Sequence, residues 1–462
     1  MFGVEERMPP KLSASQDDLE LFRSRLENII DQRHPLVRLA RLIDWRVFEE
    51  RFGALYAEAA GRPALPTRLM VALHLLKHMD GLSDEAICAR YLDSPYVQAF
   101  CGETHFQHTL PLDRSSMTRW RKRIGAERME ALLAETLVAA ERGGAVAETH
   151  YERVTIDTTV QPKAVTHPTD SKLLHSGIET LARMARRHGI TLRQSYRRVA
   201  RYARQEAARL HHGGKRREAE ARVRKLRTWL GRLARDITRK IAGNAEAKAA
   251  FAETLGLINR LLRQKRSDRG ADKLYSLHAP EVECIGKGKA RTRFEFGVKV
   301  SIATTNAAAP GGQFVLGMQS RPGNPYDGHT LAGQIEQVER ITGVAVARAY
   351  VDRGYRGHGV EAEGRKIFIS RQKRGITPTI RRELRRRAAI EPVIGHMKTD
   401  GHLGRNFLLG VDGDAINAVL AGAGHNLRLL RRWLIRLLCA LVAWLSAARP
   451  SPDLRLRNSK VA

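Results

Sequence analysis

Apolar residues recur at three- and four-residue steps through most of the first 150 positions, over 17–30, 35–56, 66–79 and 83–91, with Gly, Pro and Asp at the breaks. That spacing predicts a series of amphipathic helices. Pro66 suits a first-turn position, and Ser83 followed by Asp84 and Glu85 suits a helix start. Asp113-Arg-Ser-Ser then leads, through a serine cap, into the basic segment TRWRKR. At Arg153 the pattern changes: RVTIDTTVQ is β-branched and predicts a strand over 153–161 with Asp157 in its middle. Helical spacing returns over 173–266, with breaks near Gly189, 211–214 and Gly243 that leave room for four helices. Strand patterns follow at 294–302 and 313–318, separated by turn-forming residues. A helix over 328–341, strands over 346–352 and 366–370, and a long helical stretch from about Thr379 through Glu391 complete the order. Without the central helical block, this order predicts a mixed α/β sheet with one crossover.

The segment 433–446, WLIRLLCALVAWLS, is apolar but contains Arg436 and is shorter than the ~20 residues a bilayer span needs. It reads as a buried C-terminal helix. No membrane partner is expected, and an N-terminus with acids and a Pro pair shows no secretory pattern. Four cysteines in 462 residues suggest a reducing compartment, so a cytoplasmic protein is expected.

Charge adds a partner. The formal net charge is +31, yet residues 1–150 hold 20 basic and 22 acidic side chains. Residues 171–270 hold 27 basic against 8 acidic, and residues 371–462 hold 18 against 6. A field concentrated in two stretches points to a polyanion, with nucleic acid ahead of membrane. The TRWRKR helix, with Arg119, Arg121, Lys122 and Arg123, is compatible with a helix-turn-helix-like DNA contact or with a solvated face of a helical bundle. Both readings stay open, as do DNA binding and dimer contacts for the central basic block. Tyr202 and Trp229 there read as packing residues.

Asp is uncommon inside strands, and a carboxylate buried at a strand end is costly unless paired or metal-bound. Two aspartates occupy such places, Asp157 in VTIDTTV and Asp352 in ARAYVDRGYRG, although each could be a turn residue. If they form a metal site, they should lie side by side on adjacent strands. Glu391 is the third acid, and on a helix Arg387, Glu391, Ile394 and Lys398 would share one face. Pro392 favours a helix start or kink there.

These residues resemble a family. VTIDTTVQ with THPTDSKLLH, AYVDRGYRGH, IEPVIGHMKTDGHLGRNFLLG with GDAINAVLAGAGHNLRLL, and the N-terminal GRPALPTRLMVALHLLKHMDGLSDEAICARYLDSPYVQAFCG together resemble the DDE transposases of bacterial insertion sequences, particularly the numbered-five insertion-sequence group. The resemblance covers most of the chain outside the central basic block. It implies an RNase H-like mixed-sheet catalytic core (149–172 and 270–446), preceded by a helical DNA-end-binding domain (1–148). A basic helical insertion (173–269) and a flexible basic tail (447–462) complete the expected organisation. It further implies that Asp157, Asp352 and Glu391 are the catalytic metal-binding triad, and that Arg387 and Lys398 match the Arg and Lys of the signature Tyr-x2-Arg-x3-Glu-x6-Lys. The Tyr position of that signature is Leu384 here.

Two Mg²⁺ ions (Mn²⁺ substituting) would serve an in-line phosphoryl displacement, with Asp157 bridging and Asp352 and Glu391 completing one site each. Arg387 and Lys398 would hold neighbouring phosphates. The implied activity is cleavage of double-stranded DNA at terminal inverted repeats and transfer of the 3′-hydroxyl ends to target DNA, by a homo-oligomer on DNA. The alternatives are a catalytically inactive DNA-binding regulator of the same fold and a metal-dependent nuclease without strand transfer. His425-x-x-Arg428 also fits a tyrosine recombinase element, but the last tyrosine, Tyr355, precedes it. Cys101, His105 and His108 lack a fourth zinc ligand of suitable spacing.

Overall fold

The computed structural model describes residues 24–447, apart from 54, 56–63, 266, 269–272, 287–292 and 361–363. The expected helix over 17–30 therefore lies partly outside the described residues, and the expected tail does so almost entirely. The N-terminal part is helical: α1 (Leu26–Ile29), α2 (Pro35–Leu42), α3 (Arg46–Gly53), α4 (Thr67–Asp80), α5 (Asp84–Asp93), α6 (Pro95–Cys101) and α7 (Arg114–Arg142). The periodic run expected over 35–56 divides because Ile43 turns extended and the Asp44 carboxylate accepts from the Arg46 amide at 3.1 Å. Ser83 caps α5 as expected, accepting from the Ala86 amide. The cap of α7 is Asp113 rather than a serine, since its carboxylate accepts from the Ser115 amide. Helix α7 kinks at Gly125, whose φ of 76° is open to glycine at little steric cost.

The rest is a mixed α/β fold built on a curled sheet with flanking helices. Strand β1 (Arg153–Pro162) is followed by α8 (Asp170–Arg187), α9 (Arg197–His212), α10 (Arg216–Lys240) and α11 (Ala245–Arg263), then β2 (Glu283–Gly286), β3 (Phe294–Thr305) and β4 (Val315–Arg321). Helix α12 (Asp327–Thr342), β5 (Arg348–Val351), β6 (Lys366–Ile369), α13 (Pro378–Arg386), α14 (Ile390–Thr399) and α15 (Gly410–Ala447) complete the chain. The strand order is β2-β3-β1-β5-β6, with β4 also on β3. β3 runs antiparallel to β1, β2 and β4, whereas β5 is parallel to β1 and to β6.

Among the described residues, two hydrophobic clusters form. One joins the N-terminal helices, the sheet and α15, and includes Leu73, Ile156, Ile302, Val351 and Leu420. The other lies within α8–α11 and their flanks, around Leu174, Ile178, Leu230 and Phe251. The four expected central helices thus have an apolar interior of their own.

Helix α15 ties the first cluster together. A Cβ on Gly424 would stand 2.4 Å from the His78 carbonyl oxygen, so only glycine lets α15 lie this close to α4. Four residues on, Arg428 donates to the His78 and Met79 carbonyls at 2.9 and 3.0 Å, closing the C-terminal end of α4. The expectation of a buried helix at 433–446 is corrected: the segment is helical, but Leu441, Val442 and Trp444 are exposed because α15 there runs past the elements it packs on. Tyr202 is likewise 60% exposed on α9, whereas Trp229 stacks on Tyr196.

Candidate active site

The two strand aspartates come together at the centre of the sheet. β1 and β5 pair in parallel with Thr155 beside Tyr350, so Asp157 and Asp352 each lie two residues further along neighbouring strands. Asp157 is largely buried, accepts from the Thr158 amide at 2.8 Å, and has Arg387 Nη1 at 3.6 Å from its Oδ2. Burial pushes its carboxyl up to about 6, and the nearby charges of Asp352 and Asp327 add to this, against the Thr158 amide and Arg387. Asp352 lies just past β5 and accepts from the Gly354 amide at 2.7 Å. It therefore makes the local turn and also faces Asp157.

The C-terminal side of the site hangs on a polar anchor. Glu383 of α13 is buried, takes a hydrogen bond from the Tyr350 hydroxyl of β5, and accepts from Arg153 of β1 at 3.1 Å. Asn306 donates to the Glu383 carbonyl at 3.1 Å and to the Thr155 hydroxyl at 2.9 Å. This fixes α13 against the two strands that carry the aspartates and brings Arg387, one turn later, onto Asp157. A 3-10 turn over Arg387–Ala389 then separates α13 from α14, which begins at Ile390, in line with the helix start or kink expected near Pro392. Pro392 accordingly sits in the first turn of α14, where its missing amide costs little.

Glu391 is exposed at the start of α14, and Lys398 pairs with Glu295 of β3 at 3.8 Å. Among the described residues, no group of three or more His, Cys, Asp or Glu side chains is close enough to hold a metal ion. The strand pair is assembled, but the three acids do not close around a common point.

Sequence reasoning missed two neighbours of the pair, Asp327 and Tyr355. Asp327, the first residue of α12, accepts from the Thr158 hydroxyl at 3.0 Å and from Lys299 Nζ at 2.9 Å. The Tyr355 hydroxyl is buried, and burial together with Asp157, Asp327 and Asp352 raises its pKa well above the usual tyrosine value. The only signal for Asp327 was an acid at the end of the turn GNPYD, which looks like ordinary helix initiation.

The basic residues of α7 do not act alike. Arg119 and Lys122 are exposed and Arg123 is partly so. Arg121 is buried, with its guanidinium donating to both Asp84 oxygens at 3.0 and 2.6 Å and contacting His74. The expectation of Arg121 at a DNA surface is corrected: it ties α7 to α5. In the central helices, a groove of about 1300 Å³ is bordered by Arg204, Arg216, Arg224, Arg227, Lys265 and Lys273. All four cysteines are free, Cys101 is buried, and His425 and Arg428 serve packing within the fold.

Residues 24–123, from α1 into α7, match the family described as "Transposase domain (DUF772)". A protein of Rhizobium meliloti, "Uncharacterized protein ORF8 in nfe locus", is 50% identical over 204 residues, covering 44% of this chain and 97% of that protein. The chain belongs to the same family as that protein. It is a transposase-domain protein, and the matched domain forms the helical layer on which α15 rests. No solved structure matches the chain. Among the described residues, no helix is long and apolar enough to cross a membrane.

Proposed function

We propose that this chain acts on double-stranded DNA as a DDE-type transposase: it cuts the phosphodiester backbone at terminal inverted repeats in a divalent-cation-dependent reaction and joins the 3′-hydroxyl ends to target DNA. The observation that carries this reading is the level placement of Asp157 and Asp352 on adjacent parallel strands, with the Asp157 carboxyl pushed up to about 6. A sheet in which antiparallel strands continue into a parallel pair suits the RNase H-like core implied by the resemblance.

The donor chemistry fits Mg²⁺ or Mn²⁺. Asp157 and Asp352 offer hard carboxylate oxygens, and a buried Tyr355 hydroxyl without a hydrogen bond of full geometry stands in their field. Asp157 and Asp352 would hold the ions, with Glu391 completing the set after a rearrangement at the 387–389 turn. Bound ions would activate the attacking oxygen and stabilise the leaving one. Arg387, 3.6 Å from Asp157, would meet a scissile phosphate once released from that carboxylate. Lys398, Arg119, Lys122, Arg123 and the basic central groove would carry backbone contacts, in a homo-oligomer that brings two DNA ends together.

The exposed Glu391 and the lack of a closed acid triad favour a second reading, a DNA-binding regulator without catalysis, or a nuclease without strand transfer. Incubation with DNA bearing the repeats of its own element, in Mg²⁺ and in EDTA, separates these. Cation-dependent cutting with joined products supports the transposase, cutting alone the nuclease, and tight binding without cutting the regulator.

A further inference from the structure

A glycine wedged between two acids points beyond the strand pair. A Cβ placed on Gly354 would stand 3.0 Å from Asp327 Oδ2 and 3.0 Å from Asp352 Oδ1, so the two oxygens lie within about 6 Å of each other. Asp327 thereby faces Asp352 across a position with no side chain. Its other oxygen receives the Thr158 hydroxyl at 3.0 Å and Lys299 Nζ at 2.9 Å. Thr158 is the neighbour of Asp157, so Asp327 is linked by hydrogen bonds to the same stretch of β1.

A buried hydroxyl without a partner stands beside this place. Tyr355 is 0% exposed and its hydroxyl makes no hydrogen bond of full geometry, while Thr330 beside it gives its own proton to the Asp327 carbonyl at 2.7 Å. Ser301, opposite Thr158 in the β1–β3 register and so on the same face, also has a buried hydroxyl without a partner. Buried polar groups are rarely left this way unless a ligand or water serves them.

We infer that Asp327 is a further ligand of the divalent-cation site, acting with Asp352 and Asp157, and that Lys299 holds its place when no cation is bound. This rests on the cation-dependent reading above. Opposed oxygens on one Mg²⁺ stand about 4.2 Å apart, twice the ~2.1 Å Mg–O distance, so modest side-chain rotation closes the gap. Without a cation, three carboxylates repel one another, which accounts for a cluster looser than a formed metal site. Lys299 supplies the compensating charge in the meantime and keeps a second contact to the Pro325 carbonyl at 2.7 Å. An entering ion displaces it from Asp327.

The test is Mn²⁺ titration of the full chain followed by electron paramagnetic resonance, which reads binding without turnover. Wild type should bind, Asp157→Asn and Asp352→Asn should lose binding, and Asp327→Asn should bind roughly tenfold more weakly or worse. Lys299→Met, which removes the competing cation, should bind more tightly than wild type. If Asp327→Asn binds like wild type while the other two aspartate variants do not, Asp327 is no ligand and the strand-pair reading stands. If wild type binds no Mn²⁺ at millimolar concentration, that reading itself fails. Should Asp327→Asn not fold, Lys299→Met decides: tighter binding supports the assignment, and unchanged or weaker binding overturns it.

Discussion

Arg387 Nη1 stands 3.6 Å from Asp157 Oδ2, a cation from the turn before α14 resting on the carboxylate at the centre of the sheet. The contact is too long to compensate the carboxylate fully, and burial still holds the Asp157 carboxyl at about 6. An aspartate raised from 3.8 in the unfolded chain disfavours folding once ionised. That cost is absent below pH 4 and complete above pH 6–7. Asp157→Asn should therefore stabilise the cation-free protein at pH 8, by at most about 3 kcal/mol, with the gain vanishing near pH 4. Thermal unfolding across that range checks it, and a destabilised variant at pH 8 would contradict the assignment.

Cation affinity should follow the same titration with opposite benefit. Only ionised Asp157 can bind a metal, so Mn²⁺ binding should strengthen from pH 5 to pH 7 and level off above. A pH-independent affinity in calorimetric titrations over this interval would place the ion away from Asp157.

The basic helix offers a contrast between neighbours. Arg121→Ala removes one of the two cations on the half-buried Asp84 carboxylate, the other being Lys77 at 2.6 Å, and should cost about 1–3 kcal/mol of stability. Lys122→Ala, on the exposed side, should leave the melting temperature unchanged and weaken DNA binding. Equal effects of the two on stability would show that the Arg121–Asp84 pair contributes little.

The helical groove makes a claim about salt. If the protein neutralises about eight phosphates, the slope of log K against log salt is near −7. Replacing Arg216 and Arg224, both exposed at the groove, with Gln should make the slope shallower by about 2. An unchanged slope would assign these helices to contacts between protein chains.

Much of this arrangement could be read from residue order. A β-branched run marked β1, and an Asp within or at the end of such a run marked Asp157 and Asp352, because a costly residue in a strand needs a reason. The four central helices were visible from their Ala/Leu spacing, although not their separate core, which depends on which faces meet. Arg121 was indistinguishable from Arg119 and Lys122 in sequence, since only the position of Asp84 on another helix turns it inward. Asp327 was hidden because an acid at a helix start has an ordinary local explanation, while its contacts to Lys299 and Gly354 span long stretches of chain. The apolar C-terminal end of α15 looked buried for a similar reason: composition records that a face is greasy, not whether anything covers it.

The most direct measurement is the rate of Mg²⁺-dependent cutting of DNA carrying the element's own terminal repeats, by wild type and by Asp157→Asn and Asp352→Asn. Wild type should cut in Mg²⁺ and not in EDTA, and each variant should bind the DNA normally while cutting at least ~100-fold more slowly. Cutting that persists at the wild-type rate in either variant would contradict a strand-pair active site.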